Sequence, residues 1–517
     1  MKINVTYRLF TISLFIILLI RVFLGVELTD ESQYVSQAIQ PFIGDGFFKH
    51  DLFVQQFIYV IFSPLTNLYY SFFSSEGIVL LFRLCYLALT LLSSYLIFNT
   101  LKGYLDEKKA LLSSISLLSF IPFSVPSISY NTVLYIFLPL LLILLIIVEK
   151  LNLFQFMLTS LLTFLLCIAY PTIGILFFII SVYLFYIKRH RNLLALILGG
   201  ILSLVLVAIY IEELPKSIQF SSSFNRPSPH EKLLMIWTMG KYLLIVFCQS
   251  VLISFWIKRK DKWIFPATLI LLLINLFLFQ KTAHPGHSFI LICASMFLPG
   301  IFFIKIRKNF LHLLIFFIIS SFLLAYTSSN GLTNAPLSLL VPITIASGYY
   351  FDKKRSLLLN GLMLFFLSIS NYFYFYREAN LIELDSLIKS GPFKGLITSS
   401  ERKLELSKIG RLLNNNSIEE ETGILSLGSP AIYLYSSFKP ITKMLFIHHG
   451  TLPKKVLNLI ADCDLLSSKP KFIFIHHSVS KNTIKAFDEC LNLNRNYSSL
   501  PNTTYFKVLH LSTGSRR

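Results

Sequence analysis

Acidic side chains crowd a short segment that directly follows the first apolar run of the chain. Residues 27–31 read Glu-Leu-Thr-Asp-Glu, so three of the five positions carry a carboxylate. A carboxylate can take the proton of a hydroxyl group while that hydroxyl attacks an electrophile, which is general-base catalysis. Asp30 and Glu31 are therefore the candidate catalytic residues.

Asp30 also begins a helical pattern. Asp30, Tyr34 and Ala38 are spaced four residues apart. On a helix they would share one face, which would present a carboxylate, a phenol and a small side chain. A structural alternative stands beside this interpretation: Asp30 could cap the helix, with Gln33 as its capping-box partner. The sequence leaves both interpretations open.

Basic side chains at the ends of other apolar runs could hold an anion. They are Lys49, His50, Arg226, His230, Lys281, His284 and His287. Cations placed in this way stabilise the charge that develops on a departing phosphate group. The pair His284 and His287 could instead hold a divalent metal ion. The simplest alternative is that all these groups contact lipid headgroups.

The C-terminal part of the chain holds two histidine pairs, His448-His449 and His476-His477, each directly after a predicted strand. Four histidines at strand ends could form a metal site. Adjacent residues of an extended chain point to opposite sides, however, so exposed loop positions are the simpler interpretation. Cys463 and Cys490 could form a disulfide in an oxidising compartment or remain free thiols. No Cys-x-x-Cys pair indicates a metal or redox site.

The composition is typical of a membrane protein. Hydrophobic residues make up 55% of the chain and charged residues 14%, with a mean hydropathy of +0.68. A soluble domain carries about 25% charged residues. The net charge of +20 does not indicate a nucleic-acid partner, because Lys and Arg cluster in short loops between apolar runs. That distribution follows the positive-inside rule.

Apolar runs near the length of about 20 residues that a membrane helix needs recur along the first 376 residues. The thirteen candidate spans are 9–26, 77–101, 108–124, 128–148, 152–170, 172–187, 192–211, 235–257, 263–280, 286–305, 309–327, 335–351 and 356–376. No signal-peptidase site follows the first span, so we interpret it as uncleaved. Every second connection is basic, which places the N-terminus in the cytoplasm and the C-terminal part outside.

Two regions outside the spans have structure of their own. The first outer loop, 27–76, contains an apolar stretch broken by Pro64 and Asn67, which predicts helices lying along the interface. From residue 377 the chain is polar, and short apolar runs alternate with helical patterns. The predicted strands are 423–427, 443–447, 471–475 and 505–511, the predicted helices are 401–413, 454–465 and 481–491, and a turn at 391–395 precedes them.

The expected fold is therefore a polytopic α-helical membrane protein with about thirteen transmembrane helices, its N-terminus inside and its C-terminus outside. It comprises a transmembrane domain at 1–376 and a small soluble extracytoplasmic α/β domain at 377–517.

The order of these features resembles the GT-C glycosyltransferases, most closely the protein O-mannosyltransferases and the bacterial aminoarabinose transferase of lipid A. The resemblance in residues is confined to about 27–64: Thr29-Asp30-Glu31, then Tyr34, Ala38 and Gly44-Asp45. The segments Ser129-Tyr130-Asn131 and 169–172 also look like outer-edge segments of such proteins. The Lys-Pro-Pro stretch of the aminoarabinose transferases is absent, and Lys49-His50 stands in its place. The Trp-Trp-Asp-Tyr-Gly motif of oligosaccharyltransferases is also missing, which argues against that subgroup.

The resemblance implies transfer of a sugar from a polyprenyl-phosphate donor to an acceptor hydroxyl, with inversion and with Asp30 as the base. It implies donor-phosphate contacts from Lys49, His50, Arg226, Lys281 and His284. It implies substrate contacts from Tyr34, Asp45, Tyr130 and Asn131. The residues identify no definite cofactor, and a divalent metal ion at His284 and His287 is the candidate that they offer.

The implied partners are a polyprenyl-linked sugar, a lipid, glycan or protein acceptor, and membrane lipids, with no nucleic acid. The implied location is the plasma (inner) membrane, with the active site and the C-terminal domain on the periplasmic, extracytoplasmic side. Two alternatives remain: a transporter or flippase of lipid-linked glycans, and a polymerase or ligase of them. A transporter would place its polar residues in mid-span and often show repeated halves, and neither pattern is visible here.

Overall fold

The structure is a computed structural model of the 517-residue chain. It describes residues 5–43, 47, 51, 56–223, 228–257, 264–278, 284–299, 306–328, 330–350, 353–373, 375, 377–415, 423–435, 440–441, 444–445, 447, 456–457, 466, 469–500 and 503–511.

The chain divides into two compact units. One, here called the helical unit, comprises Met1–Val22, Cys85–Leu206 and Pro227–Phe375. The other, here called the mixed unit, comprises Phe23–Leu84, Val207–Arg226 and Tyr376–Arg517. The mixed unit therefore contains the acidic segment and the C-terminal part of the chain.

Among the described residues, sixteen α-helices precede the C-terminal sheet. They are α1 (Val5–Val22), α2 (Asp30–Ile43), α3 (Phe57–Phe73), α4 (Ile78–Leu101), α5 (Glu107–Ile115), α6 (Tyr130–Ile146), α7 (Leu153–Ala169), α8 (Gly174–Tyr186), α9 (His190–Ile209), α10 (Leu214–Ser223), α11 (Pro229–Ile257), α12 (Ile264–Leu278), α13 (Pro285–Phe297), α14 (Lys308–Thr327), α15 (Pro336–Tyr350) and α16 (Lys353–Phe373).

Five helices among the described residues are long and apolar enough to cross a bilayer. They are α1, α4, α9, α14 and the part of α16 at Lys354–Phe373. Seven more apolar segments are shorter, between 10 and 17 residues. The prediction of a largely helical membrane protein is thus confirmed, while the count of thirteen spans remains a prediction.

One predicted span differs from the structure. The segment 108–124 is not a continuous helix, because α5 ends at Ile115 and two 3₁₀ turns, Ser116–Ser119 and Pro122–Ser124, follow. The hydroxyls of Ser114, Ser116 and Ser119 each donate to a carbonyl three residues earlier, and Pro122 lacks a backbone N–H. Both features compete with regular helical hydrogen bonding.

Residues 27–76 contain the helices α2 and α3, and their position along the membrane interface stays a prediction. Helix α3 continues through Pro64 without a break. Proline cannot donate to the carbonyl four residues earlier. The hydroxyl of Ser63 donates to the Val60 oxygen at 2.9 Å, so that carbonyl keeps a hydrogen bond and the helix can continue.

Helices α7 and α9 pack closely within the helical unit. A Cβ atom at Gly199 in α9 would lie 2.3 Å from the Ser160 oxygen and 2.6 Å from Cβ of Thr163 in α7. No such crowding exists at Gly200, where nothing lies within 4 Å. The glycine at 199 therefore permits the two helices to approach through small residues, as membrane helices commonly do.

The C-terminal part of the mixed unit is built around a four-stranded sheet. Its elements are β1 (Ser386–Leu387), β2 (Ile397–Thr398), α17 (Ser400–Asn415), β3 (Ile424–Leu427), β4 (Phe472–His476), α18 (Lys481–Leu491), α19 (Leu493–Asn496), β5 (Tyr497–Ser499) and β6 (Phe506–Leu511). The strand order is β3-β4-β6-β5, with β3 and β4 parallel and the other pairs antiparallel. The predicted small C-terminal sheet is confirmed.

Details of this sheet were only partly predictable. Strand β5 and the hairpin β1–β2 were not predicted from the sequence. The turn of the hairpin, at 391–395, has Gly391 and Gly395 at positive φ. In the predicted strand 443–447 the described Ile447 forms a parallel bridge with Leu427. Of the predicted helix 454–465, only residues 456 and 457 lie within the described residues. Cys490 is disulfide-bonded, and Cys463 lies outside the described residues.

The hairpin also fixes the chain just before the acidic segment. The Gly25 N–H donates to the Ile397 oxygen at 2.8 Å, and the Ile397 N–H donates to the Phe23 oxygen at 2.8 Å. The segment that precedes α2 and the C-terminal part of the mixed unit are thus joined by main-chain hydrogen bonds. These bonds restrict the position of the residues that follow Gly25.

Candidate active site

The side chain of Glu27 caps helix α2. Its Oε1 accepts the Thr29 N–H at 2.9 Å and the Thr29 hydroxyl, and its Oε2 accepts the Glu31 N–H at 2.6 Å. The first N–H groups of a helix have no partner within the helix, and a carboxylate that accepts them stabilises the helix start. The alternative in which Asp30 caps the helix is not what the structure shows, because Glu27 fills that role.

Glu31 is held by Arg83 in a buried ion pair. The Arg83 Nη2 lies 2.6 Å from Glu31 Oε2, and Nε lies 2.7 Å from Oε1. Arg83 also donates to the carbonyl oxygens of Leu24 and Gly25, at 3.1 and 2.9 Å. Both carboxylate oxygens of Glu31 are therefore used within the protein. This arrangement indicates that Glu31 positions the acidic segment rather than reacting with a substrate.

Asp30 differs from its acidic neighbours. Between residues 27 and 39, only Asp30 and Tyr34 are half-exposed, and all the other positions are buried. Among the described residues, no hydrogen-bond donor or salt-bridge partner is found for the Asp30 carboxylate. The predicted shared face of Asp30 and Tyr34 is open, whereas Ala38 is fully buried. The Tyr34 ring stacks on Tyr59, with ring centroids 6.2 Å apart.

Helix α2 also carries a polar cluster, beside Asp30, that was not predicted from the sequence. Gln33 and Gln37 both point their amide nitrogens at Asp51 Oδ2, at 3.4 and 2.7 Å. The side chain of Gln56 donates to the backbone oxygen of Asp51. Asp51 is buried. The spacing of Gln33 and Gln37 by four residues was the available signal, but the sequence gave no indication of their common partner.

The environment of Glu27 disfavours its ionised form. Burial and, after it, the nearby Asp30 carboxylate raise the pKa of Glu27 from 4.5 to about 8, against the opposing effect of the Thr29 and Glu31 donors. Burial dominates because a charged carboxylate loses its hydration when it leaves water.

A second segment of the mixed unit meets the acidic segment at Thr29. The Arg377 Nη1 donates to the Thr29 hydroxyl at 2.6 Å. Arg377 has a φ of 54°, which is the left-handed region that non-glycine residues rarely adopt. The next residue, Glu378, fixes this backbone, because its Oε2 accepts the Val26 N–H and the Thr398 hydroxyl, each at 2.7 Å. The sequence analysis missed both residues, although the charged pair directly after the last apolar run was a signal.

Within the helical unit, two of the predicted substrate residues lie near other polar groups. The rings of Tyr130 and Tyr170 are 6.2 Å apart. The Asn334 amide donates to the Tyr170 hydroxyl at 3.4 Å. Asn131 is buried, and its Oδ1 has no hydrogen-bond partner among the described residues. The structure thus brings together the two tyrosine segments that the sequence singled out.

His287 occupies a structural position in the helical unit. Its Nε2 accepts the Phe123 N–H at 2.9 Å, and its Nδ1 lies 2.6 Å from the Thr333 oxygen. A carbonyl can only accept, so the ring is neutral with its proton on Nδ1. Both ring nitrogens are therefore used within the protein and neither is available to a metal ion. His284 packs beside it, with ring centroids 5.4 Å apart.

The part of the chain that the structure describes contains no group of three His, Cys, Asp or Glu side chains that could hold a metal ion. Several predicted site residues lie outside the described residues: Asp45, Lys49, His50, Arg226, Lys281, His448 and His449. His230 is described and exposed, at the start of α11. His476 lies at the end of β4.

Comparisons with known proteins give a likeness of fold. No known family model matches the chain, and no curated protein matches it. Among solved structures, the chain is similar to the crystal structure of the Archaeoglobus fulgidus oligosaccharyltransferase in complex with Zn and sulfate. The TM-score is 0.48 and the sequence identity 10%, and the match covers 97% of this chain and 73% of that chain. A likeness of this size carries no argument about activity.

Proposed function

We propose that the protein is a membrane glycosyltransferase that moves a sugar from a polyprenyl-phosphate donor to an acceptor hydroxyl, with Asp30 as the general base. The observation that supports this proposal is the contrast among the acids of one segment. Glu27 caps a helix and Glu31 pairs with Arg83, while Asp30 is half-exposed and has no donor among the described residues. A base must keep a lone pair available for the substrate proton.

The reaction needs little from the protein beyond position and charge. The anomeric carbon of the donor is bonded to a phosphate oxygen, which is a good leaving group. The acceptor hydroxyl attacks the opposite face of the anomeric carbon and gives its proton to Asp30. The bond between carbon and phosphate oxygen breaks, and the phosphate leaves with the electron pair. One such displacement inverts the anomeric centre.

The buried acids around Asp30 support this role indirectly. The pair of Glu31 and Arg83 and the cap formed by Glu27 fix the first turn of α2, and Asp30 lies in that turn. A base that is held in place loses little conformational entropy when the substrate arrives. The Tyr34 ring, one turn further along α2 and stacked on Tyr59, offers an aromatic surface beside Asp30 for a sugar or acceptor.

The proposal includes partners and a location. The donor is a polyprenyl-linked sugar, the acceptor is a lipid, glycan or protein hydroxyl, and the reaction takes place at the outer face of the plasma membrane. The apolar helices support a membrane location. The basic loops of the sequence support the orientation.

Comparison of three cell lines tests the activity. Mass spectrometry of envelope glycolipids and glycoproteins would be performed on cells with the wild-type gene, with the gene deleted and with Asp30→Asn. We expect a glycan that is present in the wild type and missing from the other two lines, with the Asp30→Asn protein inserted in the membrane at the wild-type level. A deletion strain with an unchanged set of glycans would reject glycosyl transfer, and an unchanged Asp30→Asn strain would reject Asp30 as the base.

A further inference from the structure

The edge of the C-terminal sheet contacts the acidic segment. Strands β3 and β4 are parallel, so their carboxyl ends lie at the same edge. Just beyond β3, the Ser429 hydroxyl donates to the Leu28 oxygen at 2.9 Å. The Ser36 hydroxyl of α2 donates to the Pro430 oxygen at 3.3 Å. In α/β sheets, the carboxyl ends of the strands are where ligands usually bind.

Basic side chains gather at this edge. We call Arg377, Arg402, His476 and His477 the basic cluster. The Arg402 Nη2 donates to the Arg377 oxygen at 3.2 Å. The guanidinium of Arg402 lies 4.8 Å from the centroid of the Tyr505 ring, and the His476 ring stacks on the same tyrosine at 6.1 Å. The aromatic ring therefore helps to hold two members of the cluster in place.

The other members of the basic cluster lie close enough to His476 to affect its pKa. Burial, followed by the charges of Arg402, His477 and Arg377, lowers the pKa of His476 to about 4. The ring is therefore neutral at pH 7. Since the Ser478 N–H donates to Nδ1 at 3.2 Å, the remaining ring proton lies on Nε2.

The acids around Arg402 leave its Nε without a hydrogen bond among the described residues. The Glu378 Oε1 lies 3.9 Å from the Arg402 Nε, and Oε2 is bonded to Val26 and Thr398. Glu405 is buried and accepts the backbone N–H groups of Thr504 and Tyr505. The side chain of Glu401 forms a hydrogen bond with the Tyr505 hydroxyl. The Nε of Arg402 is buried and has no hydrogen-bond acceptor among the described residues.

A buried guanidinium N–H without an acceptor costs free energy, and an anionic oxygen would remove that cost. Guanidinium groups also match the oxygens of a phosphate group geometrically. Through Thr29, the cluster reaches the residue next to Asp30. A phosphate bound there would lie beside the carboxylate that we propose as the base.

We propose that the basic cluster binds the phosphate group of the polyprenyl carrier, and that supplying this site is the role of the C-terminal sheet. The inference rests on the proposed function, which requires such a phosphate. During transfer, the arginine N–H groups receive the negative charge that develops as the bond between sugar and phosphate breaks.

Binding without turnover tests this inference separately from the activity. The full-length protein in detergent would be titrated with undecaprenyl phosphate, with undecaprenol, which lacks the phosphate, and with inorganic pyrophosphate. The variants are Arg377→Gln and Arg402→Gln, with Arg402→Lys as a conservative change. Arg411→Gln is the matched control, because Arg411 is exposed on the same helix, α17. The thermal midpoint of each variant would show whether it is folded.

We expect undecaprenyl phosphate to bind more tightly than undecaprenol. Loss of one charged hydrogen-bonding group should weaken its binding about tenfold or more in Arg377→Gln and Arg402→Gln. Arg402→Lys should lose less than Arg402→Gln, and Arg411→Gln should lose less than about twofold. If inorganic pyrophosphate binds more weakly than undecaprenyl phosphate, the site is assigned to the lipid-linked phosphate. If it binds more tightly and displaces undecaprenyl phosphate, the site is assigned to a free phosphate, which would contradict the inference.

Equal losses in Arg411→Gln and in the cluster variants would overturn the inference, because binding would then follow net charge alone. Equal affinity for undecaprenol would overturn it as well. These outcomes are distinct from failure of the proposed function, which would show as unchanged transfer in Asp30→Asn. A folded Arg377→Gln protein that binds like the wild type would contradict the cluster even if Arg402→Gln were misfolded.

Discussion

The buried pair of Glu31 and Arg83 gives the sharpest prediction about the folded state. Glu31→Gln keeps the size of the side chain but removes the charge that faces Arg83. The guanidinium would then be buried without the carboxylate charge of Glu31, whose oxygens it contacts at 2.6 and 2.7 Å. Removing one partner of a buried ion pair costs about 3–5 kcal/mol, because the remaining charge has lost its hydration without compensation.

Removing both charges should cost less than the two single changes together. Arg83→Met with Glu31→Gln leaves no uncompensated ion, although the Leu24 and Gly25 oxygens lose a donor. The free energies of unfolding of the wild type, both single variants and the double variant would be measured in detergent by denaturant titration. We expect a coupling energy of about 1 kcal/mol or more between the two positions.

Arg411→Gln serves as the control for a loss of charge at an exposed position of the mixed unit. It should change the free energy of unfolding by less than about 0.5 kcal/mol. A Glu31→Gln protein as stable as the wild type would refute the reasoning, because the carboxylate would then not be the counter-ion of a desolvated guanidinium.

Two further predictions concern pH and packing. The unfolded chain releases the Glu27 proton near pH 4.5 and the folded protein near pH 8, so the folded state binds more protons in this window and stability falls as pH rises. Each pH unit lowers the free energy of unfolding by about 1.4 kcal/mol at most. Between pH 5 and 8, the free energy of unfolding should therefore decrease less in Glu27→Gln than in the wild type. Equal pH slopes in the two proteins would contradict the raised pKa of Glu27. Gly199→Ala should destabilise the protein by about 1–3 kcal/mol because its Cβ would clash with Ser160. Gly200→Ala, with open space around the new Cβ, should be neutral or slightly stabilising, and equal effects of the two changes in thermal unfolding would count against close packing of α7 and α9.

The helical membrane architecture and the helix that begins in the acidic segment could be predicted from the sequence, because both depend on local patterns. Apolar runs of membrane length need no knowledge of their neighbours. The start of α2 at Asp30 and the shared face of Asp30 and Tyr34 follow from the spacing of adjacent residues. The small C-terminal sheet was also predictable, since its apolar strands are bounded by turn-forming residues.

The roles of the individual acids were not predictable. Glu27, Asp30 and Glu31 have the same kind of side chain, and only their surroundings separate a cap, a base and an ion-pair partner. Arg83 lies 52 residues beyond Glu31 in the chain. Arg377 lies 348 residues beyond Thr29. A pattern in one sequence does not indicate which distant residues meet, so the basic cluster and the pair of Glu31 and Arg83 required the three-dimensional structure.

The most direct measurement of the central claim is the single-turnover rate of the purified protein with a saturating polyprenyl-phosphate sugar, compared between wild type and Asp30→Asn. A general base contributes about 10²–10⁴-fold to a rate. We predict that Asp30→Asn lowers the rate by at least about a hundredfold while its donor affinity and thermal midpoint remain those of the wild type. A single-turnover rate in Asp30→Asn within a few-fold of the wild-type rate would contradict the account.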